Sequence, residues 1–139
     1  MRPKLGIAVL VVLMVAGALV PATALSTQSA TKVTFKMVEW DTLPTTTTKA
    51  RPGKVTFVVR NAGKLEHEFV VIKTSKPSGN LAPAGATEAP ETGAVGEIEE
   101  IAPGAVKQVT LTLTNGHYAL ICNLPRHYGN GQFVDFYVR

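Results

Sequence analysis

Cys122-Asn123-Leu124-Pro125-Arg126-His127-Tyr128-Gly129-Asn130-Gly131-Gln132 places one thiol, one imidazole and one carboxamide on a single short stretch of the 139-residue chain. Cys122 and His127 lie five residues apart, as do His127 and Gln132, so one folded-back loop can present all three to a common point. Pro125, Gly129 and Gly131 favour such a turn-rich path over a helix or a strand. This is a metal-site spacing, and a second imidazole stands far upstream at His67.

Working outward, the segments on either side of this loop read as strands. Residues 118–122 are short and mostly apolar, and in residues 133–138 Val134, Phe136 and Val138 face away from Phe133, Asp135 and Tyr137. The clearest alternation sets Val109, Leu111 and Leu113 against Thr110, Thr112 and Thr114, ending at the turn signal Asn115-Gly116. Val55, Phe57 and Val59 alternate within residues 54–60, and Val33, Phe35 and Met37 do so further upstream, with Trp40 closing that strand. His67 precedes the apolar run 69–72 and so sits at a strand entrance, near one end of a sheet.

Between these segments lie turn and loop signals. Thr45 to Thr48 followed by Arg51-Pro52-Gly53 reads as a loop and turn, and Pro103-Gly104 marks another. Residues 76–96, rich in Pro, Gly, Ala and Thr without apolar periodicity, read as a long surface excursion. The acidic trio Glu97, Glu99 and Glu100 reads as a solvated face. Six or seven short strands with no convincing helix after the N-terminal segment predict an all-β chain, an antiparallel Greek-key β-sandwich spanning residues 31–139.

The N-terminus carries Arg2 and Lys4, an apolar run over residues 5–20 and then the small-residue stretch Pro21-Ala22-Thr23-Ala24, the pattern of a secretory signal peptide over residues 1–24. That run of 16 residues is shorter than the roughly 20 of a membrane span, which favours cleavage over retention as an anchor. Residues 25–30 read as a flexible leader. Removing 24 residues from 139 leaves 115, the size of one domain, and losing Arg2 and Lys4 lowers the formal net charge from +4 to +2. So small and scattered a charge argues against nucleic acid. The expected location is periplasmic or extracellular, with a membrane contact only if the N-terminal segment is retained.

One cysteine cannot form an internal disulfide, so Cys122 is a buried spectator thiol, half of an intermolecular bridge or a metal ligand. A thiolate, two neutral imidazoles and a weak fourth donor suit a copper ion that alternates between Cu(I) and Cu(II). Zinc suits the same imidazole and thiolate donors.

The segment Asn61-Ala62-Gly63-Lys64-Leu65-Glu66-His67-Glu68-Phe69, together with Gly116-His117-Tyr118 leading into Cys122-Asn123-Leu124-Pro125 and His127-Tyr128-Gly129-Asn130-Gly131, resembles the cupredoxins. Within that family it resembles the small exported proteins related to plastocyanin and sulfocyanin. The likeness covers residues 54–139. It implies that His67, Cys122 and His127 are the equatorial ligands of one copper ion, held at one end of a sandwich beneath a shallow apolar surface through which His127 exchanges electrons with redox protein partners.

Two positions depart from the commoner family pattern. Gln132 stands where methionine is usual, a spacing similar to that of stellacyanin-type members, whose axial ligand is glutamine. An amide oxygen is harder than a thioether and favours Cu(II), so the expected reduction potential is lower. Arg126 stands where related loops often carry glycine; it reads either as a cation that steers an acidic partner or raises the potential, or as a solvent-facing arginine.

Other candidates carry less. His117 reads as an exposed strand residue pointing away from the ligand end, Tyr128 as packing over the loop, and Met37 as core. Glu66 and Glu68 flank His67 and read as candidates to orient it by hydrogen bonding, a role that a backbone carbonyl or a water fills equally well. The function expected is a type 1 copper protein shuttling one electron between exported or membrane redox partners, a monomer with no small-molecule substrate and no enzymatic activity. The alternatives are a copper module for storage, delivery or sensing, a thiol enzyme built on Cys122, and a sandwich that has lost its metal.

Overall fold

The computed structural model describes residues 29–139. The signal segment expected over residues 1–24, and all but the last two residues of the leader, lie outside the described residues. Among those described, no helix is long and apolar enough to cross a membrane.

The strands run in the order β1 (Thr31–Val38), β2 (Asp41–Pro44), β3 (Lys49–Ala50), β4 (Gly53–Asn61), β5 (His67–Lys73), β6 (Ala94–Ile101), β7 (Val106–Leu113), β8 (Gly116–Ile121) and β9 (Phe133–Val138). They form two sheets packed face to face, one in the order β2-β1-β4-β7 and one in the order β3-β9-β8-β5-β6. The alternation read from the sequence is the reason: Val33, Phe35 and Met37 from β1 and Val55, Phe57 and Val59 from β4 are fully buried between the sheets. Phe35, Phe57, Phe69 and Phe136 form the centre of that layer, with ring centroids 5.2–6.4 Å apart.

The sandwich is as expected, but two of its pairings are parallel, β1 with β4 and β3 with β9. The chain pairs β1 with β2, crosses to the other sheet as β3 and returns as β4, which therefore runs alongside β1 in the same direction. Two strands arise outside the alternating segments, β2 just before the tract read as a loop and turn and β3 within it. β2 and β3 are short, and their pairing with β1 and β9 rather than any apolar period makes them strands. Trp40 does not close β1: that strand ends at Val38, and Glu39 and Trp40 form the turn into β2.

β5 and β8 are buried on both faces. Phe69 and Val71 join the core between the sheets, while Val70, Ile72, Ala119 and Ile121 form a second cluster on the outer face with Ala89 and Tyr128. The excursion 76–96 supplies that outer cover. It contains a single 3₁₀ turn, Ser78–Asn80, and enters β6 at Ala94. Its residues Leu81 and Ala82 pack on the cluster, so a segment without periodicity of its own acts as a partial third layer.

Candidate metal centre

The loop between β8 and β9 is closed on itself by backbone hydrogen bonds. Cys122 N–H donates to the Gln132 carbonyl at 3.0 Å, Gln132 N–H to that of His127 at 3.1 Å, and His127 N–H to that of Leu124 at 2.9 Å. A 3₁₀ turn over Tyr128–Asn130 ends at Gly131, whose φ of +100° lies in the left-handed region that glycine tolerates best. Arg126 also has a positive φ, +71°, in the left-handed region that glycine occupies without a Cβ clash. Its side chain is exposed.

His67 reaches the same place from the other end of the sequence. It opens β5 opposite Ile101 of β6, and the register shifts between His67 and Phe69, the mark of a β-bulge. The bulge leaves the Glu68 N–H free to donate to Cys122 Sγ at 3.4 Å. Asn61, fully buried, fixes the approach to His67: its Nδ2 donates to the carbonyls of Leu65 and Ile101, both at 2.7 Å, and its Oδ1 accepts from Gly63 N–H.

The donor atoms converge. Nδ1 of His67 lies 3.2 Å from Nδ1 of His127, and Cys122 Sγ lies 3.2 Å from His127 Nδ1 and 3.9 Å from His67 Nδ1. A point equidistant from the three atoms of that triangle is about 2.0 Å from each, close to the length of a metal–imidazole bond. The trio could hold a metal ion. All three residues are buried, His127 retaining 7% exposure and the other two none. Burial, reinforced for His67 by the neighbouring His127, pushes both imidazole pKa values down and favours the neutral rings that metal binding needs; Glu39 and Gln132 act in the opposite sense. Burial also pushes the Cys122 thiol up to about 11, against the pull of the Glu68 and Leu124 N–H groups.

Gln132 stands beside this trio. Its Nε2 donates to the carbonyls of Val38 at 2.9 Å and Asp41 at 3.3 Å, and because only the NH₂ end can do so, the amide orientation is set. Oε1 is left buried with no hydrogen-bond partner, near enough to both imidazoles to influence them. An orphaned amide oxygen next to two imidazoles and a thiol suits a fourth, weak position on a metal ion. Nε2 of His67 is also buried without a partner.

The remaining candidates fall elsewhere. Glu68 does not orient His67 by hydrogen bonding; its carboxylate accepts from Asn123 N–H at 2.8 Å, and burial raises its pKa. Glu66 is exposed. His117 lies on β8 away from the trio, as expected, but it is half-buried and bonded: Nε2 is 2.7 Å from Asp135 Oδ1 and Nδ1 is 3.0 Å from the Thr74 carbonyl. Tyr128 packs over the loop, its hydroxyl donating to Ser78 O at 2.9 Å and accepting from Leu81 N–H at 3.0 Å. Met37 is core.

Three supports were not anticipated from the sequence. Asn123 clamps the excursion to the loop, accepting from Ala89 N–H at 2.7 Å and donating to Ala89 O and to Glu91. Glu39 accepts from the N–H groups of Lys64 and Leu65, and those bonds lower its pKa to about 2. Trp40 lies edge-on to His127, ring centroids 5.3 Å apart. Its φ of +67° is unfavourable for a bulky residue by about 1–2 kcal/mol.

No family model matches the chain, and no curated protein matches it in sequence. Solved structures do. Reduced auracyanin from the photosynthetic bacterium Roseiflexus castenholzii is 19% identical, with 81% of this chain and 99% of that one covered at a TM-score of 0.60. Auracyanin A from Chloroflexus aurantiacus, described as a blue copper protein, is 21% identical over 78% of this chain and 99% of that one at 0.56. Reduced rusticyanin is 19% identical over 81% and 82% at 0.55. The fold is that of the cupredoxins. In this cupredoxin fold the His67, Cys122 and His127 cluster occupies one end of the sandwich, where the β4–β5 and β8–β9 connections meet the β1–β2 turn.

Proposed function

We propose that the chain is a type 1 copper protein that carries single electrons between exported or membrane redox partners, with His67, Cys122 and His127 holding one copper ion and Gln132 Oε1 in the weak fourth position. The observation that carries the reading is the convergence of two buried imidazole nitrogens and one buried sulfur within 4.8 Å of one another. Copper bound there would supply a one-electron couple between Cu(I) and Cu(II). The chain's own residues supply the rest. His67 and His127 offer neutral nitrogens, Cys122 offers sulfur, and the Glu68 N–H directed at that sulfur balances charge on a thiolate. Three donors sit on a loop locked by its own hydrogen bonds and the fourth on a bulged strand, so the cluster has little freedom to rearrange when an electron arrives or leaves.

Export is supported by the Arg2 and Lys4 region with its apolar run and small-residue stretch. The test is the absorption and spin-resonance spectrum of the full chain after addition of one equivalent of Cu(II), beside Cys122→Ser. An intense visible thiolate-to-copper band that the variant lacks is expected. A protein that remains colourless overturns the reading. Reversible oxidation and reduction without copper loss to an acceptor separates a carrier from a storage or delivery module.

A further inference from the structure

Trp40 is the chain's only tryptophan, and 43% of it is exposed while the His127 ring against which it stands, at 85° between planes, is nearly covered. The turn that presents it is left-handed at the indole position, a conformation in which glycine or asparagine is the ordinary choice. Strain of this kind persists only where surrounding contacts enforce it. Here they come from both sides: Gln132 Nε2 holds the carbonyls of Val38 and Asp41 that flank the turn, and the Glu39 carboxylate within it accepts from the N–H groups of Lys64 and Leu65. The turn also lies against the ligand loop, since a Cβ built on Gly131 would meet the Trp40 carbonyl oxygen at 3.7 Å. None of these contacts belongs to the core between the sheets. Together they fix one aromatic ring against one imidazole.

We propose that Trp40 is a capping residue that closes the His67, Cys122 and His127 cluster to water and small solutes by covering His127. This deepens the copper reading and rests on it only for the second measurement below. As a positioning residue it acts through His127: removing the ring opens a path past the imidazole to the thiol, whereas another flat aromatic ring at the same place keeps that path closed.

Cys122 is the only cysteine, so thiol alkylation reports this site alone. The full chain without added metal is treated with iodoacetamide and the rate followed by mass. Trp40→Ala is expected to react about tenfold faster than wild type, with Trp40→Phe close to wild type. Equal rates for Trp40→Ala and wild type overturn the cap. So does an acceleration that Trp40→Phe fails to reverse, because the effect then belongs to the turn backbone and not to the ring. Should Trp40→Ala fail to fold, the wild-type comparison stands: indole emission is expected to fall and to saturate at one equivalent of bound Cu(II), and unchanged emission with copper bound overturns the placement of the ring. If no copper binds, the functional reading fails while alkylation still decides the cap.

Discussion

The Gln132 side chain donates to the Val38 carbonyl at 2.9 Å, joining the last residue of the ligand loop to a turn 94 positions earlier in the chain. The same amide thus has two duties, holding the β1–β2 turn through nitrogen and facing the imidazoles through oxygen. Gln132→Met should separate them. Copper-loaded Gln132→Met is expected to have a higher reduction potential, because a thioether favours Cu(I), and to lose about 1 kcal/mol of stability as the Val38 carbonyl loses its partner. Voltammetry beside a urea titration reads both. An unchanged or lower potential would remove Gln132 from the fourth position.

His117 and Asp135 predict a pH dependence. Burial opposes ionisation of Asp135, but the Ser78 N–H and His117 outweigh it and hold the carboxyl below its ordinary value of 3.8. A depressed native pKa contributes stability that is present above about pH 4 and is lost as pH falls through the native value. The side chain is 37% exposed, so screening keeps this contribution under about 1 kcal/mol. Asp135→Asn should flatten the acid limb of stability against pH, as followed by chemical denaturation between pH 3 and pH 6. An acid limb identical to wild type would assign it to other carboxyls.

Tyr128→Phe removes a hydroxyl that bonds Ser78 O and Leu81 N–H together. Both backbone groups then lose a partner beneath the excursion, at an expected cost of about 1–2 kcal/mol. The loss should be local. Hydrogen exchange and limited proteolysis are expected to quicken in the 78–90 segment before the strands are affected, and uniform protection would contradict the clamp.

Arg126→Gly tests the left-handed position beside His127. Relief of the positive-φ cost outweighs the greater freedom of glycine in the unfolded chain, so a gain of up to about 1 kcal/mol is expected in thermal or urea melts. A destabilised variant would mean that the guanidinium makes a contribution its exposed position does not suggest.

Much of this architecture was legible in the residues. Val33, Phe35 and Met37, Val55, Phe57 and Val59, and Val109, Leu111 and Leu113 each announced a strand with one buried face, and Pro125, Gly129 and Gly131 announced a folded loop. β2 and β3 were not legible, because short edge segments of Thr, Pro and Lys become strands only by pairing with distant chain. The covering role of residues 76–96 has a sign in the sequence: Val70 and Ile72 alternate with Phe69 and Val71, so β5 needs cover on both faces. Of the four site residues, three were linked by proximity in sequence, whereas Glu39 reaches the Leu65 N–H 26 residues on and Trp40 reaches His127 on the ligand loop far down the chain, contacts that depend on how one turn folds against two distant loops. No local pattern encodes such a contact.

The ladder between β5 and β8 pairs Val70 with Ile121 and Lys73 with Tyr118. Side chains alternate along a strand, so slipping β5 by a single residue would turn the His67 imidazole outward and offer Glu66 or Glu68 in its stead. A carboxylate beside sulfur and one imidazole makes a harder donor set, with different metal preferences. Strand alignment in this protein therefore also fixes the donor set: only the correctly threaded chain brings a second imidazole to the thiol.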